Sequence, residues 1–65
     1  MILKIQLERM DHGWTQAYVA KRVGISLGSI NRIENGKINP RYDNLVKLED
    51  LFGMSHRELF SVIAK

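Results

Sequence analysis

The stretch from Gln16 to Gly36, QAYVAKRVGISLGSINRIENG, constrains this chain more than any other. It holds two short helical patterns on either side of a tight break, Gly24-Ile25-Ser26. Apolar residues stand at Val19, Val23, Ile25, Ile30 and Ile33, and small Ala20 lies four residues before Gly24. Ala20 lets a second helix come close. Gly24 can take φ > 0 and end the first helix, and Ser26 can cap the next. Two helices crossing at a steep angle satisfy all of these requirements together.

Such a pair is a helix-turn-helix, whose second helix can enter the major groove of DNA. The flanking residues carry further helical signals. Leu3, Leu7 and Met10 recur on one helical face and predict helix 1 over residues 2–12, followed by Gly13. Thr15 is an N-cap for helix 2, residues 16–23, and Trp14 and Val19 are spaced as a hydrophobic staple. Helix 3 is expected over about 27–35, with Leu27, Ile30 and Ile33 inward. Pro40 disfavours helix at Asn39. Helix 4 follows over 41–52, with Leu45, Leu48, Leu51 and Phe52 on one side, and ends at Gly53. Ser55 and Glu58 form a capping box that starts helix 5. Its apolar residues are Leu59, Phe60, Val62 and Ile63, and the pattern is still helical at Ile63-Ala64-Lys65. With no strand pattern, internal repeat or linker, the expectation is an all-α, compact five-helix domain over residues 1–65.

Composition narrows the class. Apolar residues are 45% and charged residues 26% of the 65, which suits a globule rather than a disordered chain. A chain this short buries a core worth only ~3–5 kcal/mol and often leans on a partner. There is no cysteine, so disulfides and thiolate metal sites are excluded. The opening MILKIQLERM is charged by its fourth residue and does not read as a signal peptide, and no apolar run is long enough for a membrane span. Charge is uneven. Residues 1–42 carry seven Lys/Arg and three Asp/Glu, a balance of +4; residues 43–65 carry three and four, a balance of −1. A basic region that contains the motif fits the electrostatic footprint of a protein that meets a phosphate backbone.

With these residues in view, the chain resembles the phage-repressor and Cro-type helix-turn-helix family, also called the XRE family. The similarity spans roughly residues 3–60. It rests on Gly13-Trp14-Thr15-Gln16, Val19-Ala20, Val23-Gly24-Ile25-Ser26, Ile30 through Lys37 (INRIENGK), Asn39-Pro40, Phe52-Gly53-Met54-Ser55 and Glu58-Leu59-Phe60. Trp14 departs from the leucine usual in the family, and Leu27-Gly28 stands where polar groups are commoner. The resemblance implies a lambda-repressor-like fold and a DNA-binding transcription regulator of phage or bacterial type, in the cytoplasm or nucleoid. It further implies a repressor that binds a pseudo-palindromic operator on double-stranded DNA as a homodimer. An antitoxin or accessory protein-interaction module, using the same fold to hold a protein partner, is the alternative.

The resemblance places Leu27, Gly28, Asn31 and Arg32 toward the groove. Asparagine can read adenine and arginine guanine, each with two hydrogen bonds. The bland alternatives are that Arg32 holds a phosphate, Asn31 is solvated and Leu27 packs on helix 2. Gln16, at the positive end of helix 2, is implied to clamp the DNA backbone. Ser26, Asn35, Lys37, Asn39 and Arg41 cluster around the ends of helix 3 as phosphate contacts. Glu34 is an acid beside this surface, and the family pairs it with an arginine, here Arg9, in a partly buried ion pair. Met54, Phe60 and Ile63 are either dimer interface or the monomer's own core. His12 and His56 are far apart in sequence, with no cysteine and no acidic cluster, so no metal site and no cofactor are expected. No nucleophile, base and orienting group assemble into an active site, so no enzyme is expected either.

Overall fold

The computed structural model describes residues 1–64. Among them are five helices: α1 (Lys4–Asp11), α2 (Gln16–Val23), α3 (Leu27–Glu34), α4 (Tyr42–Phe52) and α5 (His56–Leu59). Two short strands, β1 (Ile2–Leu3) and β2 (Val62–Ala64), pair antiparallel and bring the two ends of the described chain together. The fold is the five-helix, lambda-repressor-like arrangement, with this small ribbon added.

The helix boundaries follow local chemistry. The Thr15 Oγ1 accepts the Tyr18 N–H at 3.0 Å and the Ser26 Oγ accepts the Ser29 N–H at 3.1 Å, so both helices of the motif begin on a side-chain cap. Gly24 has φ 84°, a left-handed conformation that costs other residues a steric clash. That conformation turns the Ile25 N–H back onto the Ala20 carbonyl at 3.0 Å, which closes α2. The same i to i−5 bond recurs after α1, Trp14 to Arg9, and after α3, Lys37 to Arg32.

The core is one cluster. Ile5, Val19, Val23, Ile30, Leu48 and Leu59 are its most deeply buried members, and Leu3, Ala20 and Phe52 complete it. Trp14, Ile25, Leu51, Met54 and Phe60 pack around it, partly buried. β1 and all five helices each supply at least one side chain, and this shared burial holds helices too short to persist alone.

Three expectations change. Helix 1 does not start at residue 2: Ile2 and Leu3 are strand, and Lys4 donates its N–H to the Ser61 carbonyl at 2.9 Å. The inward face of α1 is not Leu7 and Met10, which are 42% and 56% exposed, but Ile5, which is 1% exposed. Helix 5 does not reach Ile63. It stops at Leu59, where the Ser61 hydroxyl and N–H both return to the Glu58 carbonyl, and Val62–Ala64 is strand. The helical pattern expected at Lys65 lies outside the described residues. A β-branched pair, Val62-Ile63, is stiff at χ1 and suits extended backbone better than helix.

Candidate nucleic-acid interface

The interface is built on α3. Its buried stripe is Ile30 and Ile33, and its last residue, Glu34, is only 3% exposed. Leu27, Gly28, Asn31, Arg32 and Asn35 are all exposed on the opposite side. Leu27 is half in solvent, so it does not pack inward with Ile30 and Ile33 as the spacing alone suggests; it stands with the exposed residues of α3. Eight helical residues span about 12 Å, enough for a few base pairs.

Packing does not require a glycine at position 28. A Cβ built there would find the Arg32 Nη2 as its nearest neighbour, at 3.8 Å. The guanidinium therefore lies back along the outer face of α3, over the bare backbone at Gly28. Asn31 is held differently: the Asn35 Nδ2 donates to its Oδ1 at 3.1 Å. Ser26 is tied into the start of the helix, since its Oγ also lies 2.9 Å from the Ser29 Oγ. Ser29 is a participant that sequence reading missed; the Ser-x-x-Ser spacing around the cap was the available signal.

Behind α3 sits a polar network. The Arg9 Nε donates to the Glu34 Oε2 at 2.7 Å, and its Nη2 reaches the Oε1 at 3.3 Å. The Arg9 Nη1 also donates to the Trp14 carbonyl at 2.8 Å. Gln16 completes the arrangement, with its Nε2 donating to the Glu34 Oε1 at 3.1 Å. One carboxylate thus joins α1, the start of α2 and the end of α3. Its lone pairs face three donors, so a buried charge that would otherwise be costly is compensated. The bonds to the Trp14 carbonyl and from Gln16 to Glu34 were not read from the sequence. Long-range partners leave no local spacing to detect.

The network also shapes the charge of the face. Between residues 12 and 42 the chain has five Lys/Arg and a single acid, Glu34, which lies buried against Arg9. Lys37, Asn39 and Arg41 are exposed on the loop that leads from α3 to α4. The N-cap of α4 is Arg41, which makes no side-chain capping bond, so the first N–H groups of α4 stay open beside that loop. A hollow of about 220 Å³ lies between the turn, α3 and this loop, floored by Ile25 and Ile33 and rimmed by Asn39 and Arg41. Arg22 turns elsewhere: it donates to the Tyr18 hydroxyl at 2.7 Å and lies 5.7 Å from the centre of that ring.

The expected interface trio separates. Met54 and Phe60 pack against the core, whereas Ile63 is 42% exposed beside Val62. The histidines are also apart. His12 stacks on Trp14, with ring centroids 4.2 Å apart, and His56 bonds Glu49. Among the described residues no group of three His, Cys, Asp or Glu side chains is placed to hold a metal ion.

A capped helix pair, a left-handed turn and an exposed polar stripe backed by a buried carboxylate define a helix-turn-helix protein. The comparisons agree. A helix-turn-helix family model matches residues 5–59. A protein of Methanocaldococcus jannaschii, described as an uncharacterized HTH-type transcriptional regulator, is 33% identical over 57 residues, 88% of this chain and 86% of that protein. The chain belongs to the helix-turn-helix family, the XRE type of DNA-binding transcription regulators that its motifs resemble.

Proposed function

We propose that the chain is a sequence-specific regulator, a repressor, that lays α3 in the major groove of double-stranded DNA and binds a pseudo-palindromic operator as a homodimer. The observation that carries this reading is the outer face of α3. Asn31 and Arg32 are both exposed there, on a helix held rigidly from behind by the Arg9–Glu34–Gln16 network. In this reading Asn31 and Arg32 read base edges, Leu27 presses on a thymine methyl, and Gly28 keeps the helix thin at its point of approach. Gln16 retains a second amide hydrogen and its backbone N–H for a phosphate. Ser26, Lys37, Asn39 and Arg41 hold phosphates on either side, which contributes affinity without sequence information.

A homodimer follows from the economy of the site. One α3 covers only a few base pairs, and two-fold pairing doubles the sequence read, with half-sites about one helical turn apart. The exposed apolar side chains Val62 and Ile63 lie on the ribbon formed by the chain ends and offer a surface for the second copy. The alternative, an antitoxin or accessory module, draws on the same exposed apolar residues for a different protein.

The test is a fluorescence titration against duplex DNA selected for binding, repeated at several salt concentrations, beside sedimentation of the complex. The reading expects two chains per duplex and an affinity that falls steeply with salt. One chain per duplex would remove the dimer. A stoichiometric protein partner that displaces DNA would favour the interaction module.

A further inference from the structure

We infer that Glu34 is a positioning residue for DNA binding: its buried carboxylate holds the Gln16 side chain as a hydrogen-bond donor to the DNA backbone. The inference rests on the proposed contact of Gln16 with a phosphate. It gives Glu34 a part in affinity beyond its ion pair with Arg9.

Gln16 is the first residue of α2 and partly buried, and its Nε2 donates to the Glu34 Oε1 at 3.1 Å. A side-chain amide taken alone turns end over end, because its last torsion is broad and roughly two-fold. This partner removes that freedom. A carboxylate has no hydrogen to give, and after half a turn it presents the same two acceptors, so it meets the amide nitrogen and never the oxygen. The carboxylate is itself fixed. It is 3% exposed, the Arg9 Nε and Nη2 hold its two oxygens, and the Arg9 Nη1 is anchored on the Trp14 carbonyl.

A phosphate oxygen also accepts only. Of the atoms in the Gln16 amide, Nε2 alone carries hydrogens: one goes to Glu34 and the other remains. It remains beside the Gln16 backbone N–H, which has no partner among the described residues at the open start of α2. If the amide turned over, its oxygen would face the Glu34 oxygen, acceptor to acceptor. A donor ordered in advance loses less freedom on binding than a free one. Replacement of Glu34 by glutamine supplies a group that both gives and accepts, and the Gln16 amide then lies either way. Replacement of Arg9 by lysine loosens the ion pair but leaves an acceptor-only partner, so Gln16 keeps its orientation.

The experiment is a double-substitution cycle on the affinity for selected and scrambled duplexes at fixed salt. It compares wild type, Glu34→Gln, Gln16→Ala, the two together, and Arg9→Lys, with the folded, competent fraction of each counted by titration to saturation. Gln16→Ala is expected to lower the affinity for both duplexes by about tenfold, as for loss of a bond to a charged group. Glu34→Gln should weaken both duplexes by a smaller factor, and only while Gln16 is present; in the Gln16→Ala background it adds nothing. Arg9→Lys should melt lower yet bind as wild type does. Two results overturn the inference while leaving the function standing. In one, Glu34→Gln costs the same factor with and without Gln16, which would make it act through the placement of α3. In the other, Glu34→Gln leaves affinity unchanged or raises it, which would make the carboxylate idle or a competitor for the Gln16 Nε2. Should Glu34→Gln not fold, the Gln16 side-chain amide of wild type carries the test by NMR. One of its two hydrogens should be protected from exchange with water, and exchange of both at the rate of free glutamine would overturn the inference. If Gln16→Ala binds as tightly as wild type, Gln16 holds no phosphate and the inference falls, while the preference of wild type for the selected duplex still decides the regulator reading.

Discussion

At the scale of single residues, Glu34 is the acid that makes the basic face workable. It is buried, yet bonded to Arg9 and Gln16, so its charge is compensated inside the molecule. Removal of one partner from such a pair is more costly than the pair is worth, because the other charge is left uncompensated. Glu34→Gln is expected to destabilise the fold by about 3 kcal/mol, at the lower end for buried pairs because Arg9 keeps the Trp14 carbonyl. A urea denaturation midpoint measures this, and an unchanged midpoint would show that the pair holds nothing together. Gly28 works in the opposite sense. Glycine inside a helix costs up to about 1 kcal/mol relative to alanine, and the added methyl would meet Arg32 only at ordinary contact distance. Gly28→Ala should therefore raise the melting temperature by several degrees, at the ~4–8 °C per kcal/mol usual for small domains.

At the scale of elements, the corner between α4 and α5 is set by Glu49. Its Oε2 accepts the backbone N–H of His56 at 2.7 Å and lies 2.9 Å from the His56 Nδ1. The bond with the His56 side chain, then that from its backbone, hold the Glu49 carboxyl below its ordinary value of 4.5. A carboxyl depressed in the folded state contributes stability above its unfolded value and loses it as pH falls through the folded one. Melts taken from about pH 6 down to about pH 3 should show a decline that is shallower in Glu49→Gln. Core burial is a larger effect. Leu48 and Leu59 are 0% exposed, and Leu48→Ala is expected to cost ~2–5 kcal/mol in chemical denaturation, enough to unfold much of so small a domain.

The elements differ in how well the sequence announced them. The motif was legible because its signals are local. Thr15 and Ser26 cap within three residues, and Gly24 ends α2 in place. The ends of the chain were not. Leu3, Leu7 and Met10 do keep a helical spacing, but burial on α1 is decided by where α5 and the ribbon dock, and those select Ile5 and Leu3. Strands of two and three residues carry no period, and the pairing of residue 2 with residue 64 is invisible to any window read along the chain. At the interface, the exposure of Asn31 and Arg32 followed from the inward stripe of Ile30 and Ile33. The bonds from Gln16 to Glu34 and from Asn35 to Asn31 required coordinates.

At the scale of the whole molecule, the chain joins a basic motif to a nearly neutral remainder. The motif and its loop carry five exposed cations, Lys21, Arg22, Arg32, Lys37 and Arg41, and the last third is close to balanced. The claim at the centre of the account is that the outer face of α3 reads sequence. The most direct measurement is the affinity for a selected duplex against a scrambled duplex of equal composition, at fixed salt, for wild type, Asn31→Ala and Arg32→Ala. The account predicts that wild type prefers the selected duplex by at least about a thousandfold. It also predicts that each substitution removes ~1–3 kcal/mol from the selected duplex alone. Equal affinity for both duplexes, unaltered by either substitution, would contradict it.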